Sequence, residues 1–382
     1  MDNMTQEINT YSVEGAGTKS TQGREASAVG RAGDNLADGI DTYSIEGLEA
    51  QLAELGQPRF RANQLFEWLY GHGATSYDNM TNLPASLRQE LAKRAPLRVP
   101  RVADKRVSAD GTRKYILQLA DGSLVETVGI PSAPNKETGH ERLTVCVSSQ
   151  VGCAMGCTFC ATGQEGFTRN LTPGEIVWQL LCVAKDFEKR ESNVVVMGQG
   201  EPFLNYDNTL AALRIINHAK GPNVGARHIT VSTCGILDGI RRFGSEPEQF
   251  TLAISLHAAQ QDVRDKLMPQ VASITLDELK AALLDYQRAA GRRISFEYLM
   301  IDGVNSGDED LAALIDYCAQ LSVHINLLPM NTVPGSTYNP CSEAYMQQWA
   351  ERLGRAGIEA SVRTSRGSDI YGACGQLKNM QG

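Results

Sequence analysis

The sequence predicts an α/β protein: a partial (β/α)6 barrel with a small N-terminal helical domain and a β-hairpin extension. Two rhythms in the chain carry this reading. Over residues 143–358, short β-branched runs alternate six times with longer segments of 3.6-residue period, the pattern of βα units wound around a parallel sheet. Over residues 41–100 helical spacing alone recurs, broken by Gly and Pro. A hydrophobic fraction of 42 %, with 36 glycines added, supports a buried core and excludes wholesale disorder.

The elements follow in chain order. Residues 1–40 are rich in Gly, Ser, Thr and Ala and hold few large apolar groups, so they are expected to form a disordered tail. Thr10-Tyr-Ser-Val-Glu-Gly15 is echoed by Thr42-Tyr-Ser-Ile-Glu-Gly47, and one echo does not make a repeat architecture. Next, Leu48, Leu52 and Leu55, then Leu65, Phe66 and Leu69, then Leu83, Leu87 and Leu91 recur at helical spacing. The basic side chains of this helical domain (Arg59, Arg61, Arg88, Lys93, Arg94) either track phosphates or form a solvated helical surface, and the solvated surface is favoured. Residues 101–142 are read as a β-hairpin around Asp121-Gly122, from the alternation in Lys114-Tyr-Ile-Leu-Gln-Leu and Ser123-Leu-Val-Glu-Thr-Val, followed by a connecting loop. The six barrel strands are placed at residues 143–148, 193–197, 228–232, 250–255, 294–299 and 324–328, and Thr172-Pro173-Gly174-Glu175 marks a helix start. A last short strand, 359–363, opens the C-terminal segment 359–382.

Charge narrows the function little: 36 basic against 44 acidic residues leave −8, which neither finds nor excludes a nucleic-acid partner. No apolar run reaches 18 residues, and the start Met-Asp-Asn-Met lacks a basic, then apolar, export signal. A cytoplasmic protein with no membrane contact, acting as a monomer, is therefore expected. Nine cysteines in such a chain point to metal or catalytic thiols in preference to a disulfide framework.

The densest thiols are Cys153-Ala-Met-Gly-Cys157-Thr-Phe-Cys160, directly after the first barrel strand. A structural zinc would want a fourth ligand, and a redox dithiol would need only two cysteines. Three thiolates fit a 4Fe–4S cluster whose fourth iron stays open for a substrate. Other polar residues stand after later strands: Gly200-Glu201, Ser232, Ser255-Leu256-His257 and Asn331. All are at carboxyl ends of strands, where barrel enzymes assemble their sites. Singly, each has a plain structural explanation, as a cap, a core histidine or a turn residue; together they point to ligand binding.

With these residues in view, the chain resembles the radical S-adenosylmethionine (SAM) superfamily. The resemblance implies a 4Fe–4S cluster on Cys153, Cys157 and Cys160 with an open iron for S-adenosyl-L-methionine, and SAM contacts from Gly200, Glu201, Ser232, Ser255, Leu256, His257 and Asn331. Two further segments, Cys146-Val-Ser-Ser-Gln-Val-Gly-Cys153 and Val362-Arg-Thr-Ser-Arg-Gly-Ser-Asp369-Ile-Tyr-Gly-Ala-Cys374-Gly-Gln-Leu377, resemble the RlmN branch of the RlmN/Cfr RNA methyltransferases over about residues 41–378. That likeness implies a methyl-carrying Cys374, a second catalytic thiol at Cys146 and a proton acceptor at Glu126. It also implies methylation at carbon-2 of an adenosine in 23S rRNA and in tRNA, with a low-potential electron donor such as flavodoxin.

The chemistry gives these groups a reason. A ring carbon of adenine between two nitrogens is electron-poor and cannot attack a sulfonium methyl, whereas a thiolate can. Two alternatives stay open: a Cfr-type enzyme acting at carbon-8, and a non-catalytic iron–sulfur RNA-binding protein, which would leave Cys146 and Cys374 unexplained. The stretch Pro131–Arg142 is longer than the family's usual connection, which bears on the placement of Glu126.

Overall fold

A computed structural model of the protein describes residues 39–134, 141–333 and 335–378. The expected tail lies outside these residues up to position 38, as does the Thr10–Gly15 half of the echo. Ile40, assigned to that tail by sequence, is instead fully buried in a short 3-10 turn, Ile40–Thr42.

Twelve strands are present among the described residues: β1 (Arg101–Val107), β2 (Arg113–Gln118), β3 (Leu124–Pro131), β4 (Leu143–Val147), β5 (Gln150–Gly152), β6 (Phe167–Asn170), β7 (Asn193–Val196), β8 (Ile229–Thr233), β9 (Thr251–Ser255), β10 (Ile294–Met300), β11 (Val323–Pro329) and β12 (Glu359–Val362). Ten of them form one sheet in the order β1-β2-β3-β4-β7-β8-β9-β10-β11-β12. Within this sheet every pairing from β4 onward is parallel, while β1 to β4 pair antiparallel; β5 and β6 form a separate antiparallel pair. Each new strand adds at the same edge, the way a barrel is wound, and β1 and β12 do not meet, so the barrel stays open. The six expected barrel strands coincide with β4 and β7 to β11 to within one residue at each end, and the seventh with β12.

Local chemistry accounts for the helix starts. Thr172 Oγ1 accepts from the Glu175 amide (3.2 Å) while Glu175 Oε2 accepts from the Thr172 amide (2.9 Å), a capping box that opens Pro173–Phe187 with Pro173 in the first turn. Thr275 and Glu278 open Leu276–Ala290 the same way. On the sheet, Val194, Ile229, Val231, Leu252 and Ile254 have no exposed surface, because helices cover the parallel strands.

The antiparallel part is larger than the expected hairpin. β2 and β3 form it, with Gly122 at φ 86° in its turn, and β1 adds a third strand at the outer edge. Sequence alternation misses β1 because its register shifts between Val102 and Asp104, which breaks the two-residue period. Its charged residues suit an edge that must not pair further.

Helices Ile45–Glu54, Phe60–Phe66 and Ala85–Arg94 make up the N-terminal helical region. Of the nine apolar positions read from the sequence, eight are buried and Leu55 is partly so. This core runs without a break into the layer behind the sheet, where the Phe66 ring meets His218 edge to face at 4.8 Å. The basic side chains here are largely engaged by their own chain: Arg59 with Glu49, Arg94 with Glu90, Arg61 with the Asn82 carbonyl and Arg88 with the Asp78 carbonyl. Among the described residues no helix is long and apolar enough to cross a membrane.

Candidate active site

The cysteine loop leaves the end of β5 through a pinched neck. Gly152 has φ +73°, and a Cβ there would lie 2.0 Å from the Gly166 carbonyl oxygen, so only glycine allows the approach. The Cys153 amide donates to that same carbonyl at 2.8 Å. Between these two points the loop carries Cys153, Cys157 and Cys160, then turns into the short helix Ala161–Glu165. The Thr158 amide donates to Leu267 O at 3.0 Å, which fixes the far side of the loop.

All three thiols are half-buried and line one cavity at the carboxyl ends of the parallel strands. Gly200, Glu201, Ser232, Ser255, His257, Asn331 and Cys374 line it as well. Ten of the thirteen residues singled out by sequence thus converge; Leu256, Cys146 and Glu126 do not reach the cavity wall.

The donor set suits a cluster better than a single ion. Among the described residues no group of three or more His, Cys, Asp or Glu is arranged to hold one metal ion. Three cysteine thiolates on one cavity are the donor type that would hold a 4Fe–4S cluster. Burial pushes the Cys153 thiol up to about 11, and burial together with the charges of Cys160 and Cys153 raises Cys157. Raised in this way, Cys153 and Cys157 keep their protons until a metal group displaces them.

The facing wall is built from strand ends. Glu201 is buried; its Oε1 accepts from the Phe203 amide (2.9 Å) and its Oε2 from the Cys234 amide (2.8 Å), while burial raises its pKa. The Cys234 and Thr233 side chains also hydrogen-bond to this carboxylate. Gly200 (φ +105°) lies against Gln150, and no side chain would fit there. The Ser232 and Ser255 hydroxyls are 3.2 Å apart. His257 adopts a left-handed backbone (φ 56°), and its Nδ1 accepts from the Leu299 amide at 3.1 Å. Burial, then the nearby Arg264 charge, lowers its pKa to about 3, so the ring is neutral with its proton on Nε2. Leu256 has no exposed surface, its side chain joins the main core, and its backbone N–H and C=O are bonded to the Glu297 carbonyl and the Ala258 amide, so it offers the cavity no contact.

Asn331 is committed to the chain itself. Its Nδ2 donates to the Cys374 carbonyl (3.0 Å) and its Oδ1 accepts from Ser365 Oγ (2.6 Å). It holds the tail that brings Cys374 to the cavity. Further ties come from the cysteine loop's own helix: the Ala161 amide donates to Gly375 O (2.7 Å) and Thr162 Oγ1 to Leu377 O (2.7 Å). Cys374 keeps an exposed surface, yet the protein packed around it and the Glu297 carboxylate push its thiol up to about 11.

Cys146 lies behind that tail on β4, buried in a small cluster with Val128 and Leu377; burial, then the Cys374 charge, raises its pKa. Glu126 on β3 is fully buried, paired with Lys114 at 2.9 Å, and its Oε2 accepts from the Lys378 amide at 3.0 Å. Burial pushes its carboxyl up to about 7 against the pull of the Lys114 ammonium.

Several residues of the site escaped the sequence reading. Glu297 and Cys234 line the cavity, and the Cys234 amide holds Glu201. Asn305 bonds the carbonyls of His257 and Leu299 (both 2.6 Å) and the Ile301 amide (2.7 Å), sustaining the left-handed turn at His257. Arg264, 1 % exposed, donates to the Cys234 carbonyl at 2.5 Å. Only the position of Glu297 within a predicted strand gave a signal.

Comparison with known proteins agrees with this geometry. Residues 147–317 match the radical SAM superfamily, and residues 40–97 match the ribosomal RNA large subunit methyltransferase N-terminal domain. The dual-specificity RNA methyltransferase RlmN of Nitratidesulfovibrio vulgaris is 44 % identical over 85 % of this chain and 90 % of its own length. The probable RlmN of Syntrophomonas wolfei is 40 % identical over 87 % of this chain and 94 % of its own. A crystal structure of a radical SAM methyltransferase from Sphaerobacter thermophilus superposes with a TM-score of 0.83 at 42 % identity, covering 89 % of this chain and 99 % of that one. Converging thiols, polar strand ends and identity across nearly the whole of these relatives lead to one conclusion: the chain belongs to the RlmN family of radical SAM RNA methyltransferases, enzymes that use a 4Fe–4S cluster and S-adenosyl-L-methionine.

Proposed function

We propose that this enzyme methylates carbon-2 of an adenosine in the peptidyl-transferase region of 23S rRNA and of the adenosine 3′ to the anticodon in tRNA, with Cys374 as the methyl carrier. The observation that carries the reading is the position of Cys374. A residue more than 200 positions beyond the cysteine loop lines the same cavity, with its neighbours Gly375 and Leu377 bonded to Ala161 and Thr162.

Cys153, Cys157 and Cys160 would hold the cluster, which would supply the electron for reductive cleavage of SAM to a hydrogen-abstracting radical. Glu201, Ser232, Ser255 and the neutral His257 bind and orient the amino-acid and sugar parts of SAM. Cys374 first takes a methyl from one SAM, forming the new carbon–sulfur bond as S-adenosylhomocysteine leaves. After that methyl loses a hydrogen atom to the 5′-deoxyadenosyl radical, its carbon radical bonds to the base, and the adduct returns one electron to the redox centre that supplied it as Glu126 receives the ring proton. The Cys146 thiolate then attacks the Cys374 sulfur, forming a disulfide as the sulfur–carbon bond breaks, and the freed carbon takes up a proton to become the new methyl group. Two SAM are consumed per turnover, and a low-potential donor of the flavodoxin kind returns the reducing electrons.

Peptide mass spectrometry of cluster-loaded protein tests the carrier. The tryptic peptide Gly367–Lys378 is expected to carry one extra methyl mass on Cys374. An unmodified Cys374 in protein supplied with SAM sinks the carrier role. Methylation of the base at carbon-8 would give the Cfr-type reaction, and RNA binding without SAM cleavage a purely binding protein.

A further inference from the structure

An ion pair that the reaction above leaves unexplained lies beneath the Cys374 loop. Lys114 on β2 pairs in register with Val128 on β3, and Val128 with Cys146 on β4, so Lys114, Glu126 and Cys146 share one face of the sheet. The Lys114 and Glu126 side chains are 3 % and 0 % exposed, with Nζ and Oε1 2.9 Å apart. Each also binds the tail: Lys114 Nζ donates to the Tyr371 carbonyl at 3.1 Å, and Glu126 Oε2 accepts from the Lys378 amide at 3.0 Å. The two gripped groups flank Cys374, three residues before it and four after it. Stability does not explain such a pair, since apolar residues of similar volume often serve a core equally well. Charge-assisted bonds to backbone groups do give a strong and directional hold.

We propose that Lys114 is a positioning residue for this reaction: with Glu126 it clamps both ends of the loop 371–378 so that Cys374 lines the cavity, and the clamp slackens when Glu126 is protonated. The inference rests on the proposed carrier role of Cys374 for its purpose, though not for its geometry. The charged groups facing Glu126 are Lys114 and, more weakly, Glu165 from the helix Ala161–Glu165. When the ring C–H bond breaks and its proton forms an O–H bond on Glu126, Lys114 loses its counter-charge and the Lys378 amide its charged acceptor. Both ends of the loop loosen together. The Cys374 sulfur gains freedom at the step where Cys146, packed beside Leu377, must reach it.

Amide hydrogen exchange of the full-length, cluster-loaded protein tests the clamp, read by mass spectrometry over residues 367–378. Lys114→Met should speed exchange there roughly tenfold or more, as expected when charge-assisted bonds are lost, with β10 and β11 unchanged. Lys114→Arg should restore most of the protection, and Glu126→Gln should resemble Lys114→Met. Unchanged exchange in Lys114→Met, or no rescue by arginine, overturns the proposal. Should Lys114→Met misfold, the double variant Lys114→Met/Glu126→Gln leaves no unpaired charge, and wild-type protection in it would be equally fatal. Because exchange does not require a methylated Cys374, failure of the carrier role and failure of the clamp give different results.

Discussion

Two segments bring cysteines to one cavity by opposite means. The loop 153–160 is fixed chiefly by its neighbours in sequence: a strand end, the Gly152–Gly166 neck and a helix start set all three thiols within eight residues, with Thr158 tied to the distant Leu267 carbonyl. The tail 365–378 has one short 3-10 turn, Ser368–Ile370, and is otherwise irregular. Long-range bonds hold it: Asp110 to the Gly367 amide, Ser108 to Asp369, Lys114 to Tyr371, Glu126 to Lys378 and Thr162 to Leu377. The comparison teaches that a set of neighbouring thiols can be built into a single turn, whereas a lone thiol on an irregular tail reaches the same cavity only through side-chain bonds from distant parts of the chain.

The largest effect should come from breaking the local segment. Cys157→Ser is expected to abolish cluster binding and with it all SAM cleavage, since no fourth cysteine of the loop can substitute; iron and sulfide analysis with a SAM-cleavage assay checks this. Cys374→Ala, in the other segment, should also bring RNA methylation to background while iron content and the cluster's spectrum stay at wild-type levels. If Cys374→Ala lost the cluster too, the two segments would not be separable as argued.

This division also decides what the sequence could reveal. The three-cysteine spacing, Gly200-Glu201 and the strand-end positions of Ser232, Ser255 and His257 are local patterns, and the parallel strands announce themselves by β-branched runs. β5 and β6, at three and four residues, are too short for any periodic signal. The pairing of Lys114 with Glu126 depends on hairpin register, and their grip on the tail spans more than 250 residues. The role of Asn331 shows the same limit: its place after β11 was legible, but its bond to the Cys374 carbonyl was not. Cys374 itself was found through family resemblance, because nothing in its neighbourhood distinguishes it from an exposed thiol.

A smaller effect should follow from straining the neck without touching a thiol. Gly152→Ala places a methyl where the Gly166 carbonyl stands, at a backbone angle that alanine resists, so a cost of about 2 kcal/mol or more is expected from strain of this kind. The loop must open to relieve it. Thermal unfolding should register the loss, and iron per chain should fall with it, whereas the exchange rate of residues 367–378 should rise less than in Lys114→Met. Equal loosening of both segments would mean that the neck and the tail form one cooperative unit.

The smallest effect is the one pH exerts on Glu126, the buried β3 carboxyl that holds the tail. Glu126 titrates near 7 in the folded chain, above its ordinary range, chiefly because burial opposes its charge. A raised pKa means that the folded protein binds this proton more tightly than the unfolded chain does. The stabilisation is complete below the usual glutamate pKa and is lost as pH rises through about 7. Proton acceptance runs the other way, because only the ionised carboxylate can take the ring proton. Base methylation should therefore fall about tenfold per pH unit below this pKa and level off above it, while methyl transfer to Cys374 follows a different profile set by its own thiol. Lys114→Met removes the ammonium that favours ionisation, so the acidic limb should move to higher pH; Lys114→Arg should hold it in place. A limb that stays put in Lys114→Met would show that Lys114 does not act on the ionisation of Glu126, and the two ends of the Cys374 loop would then be held independently.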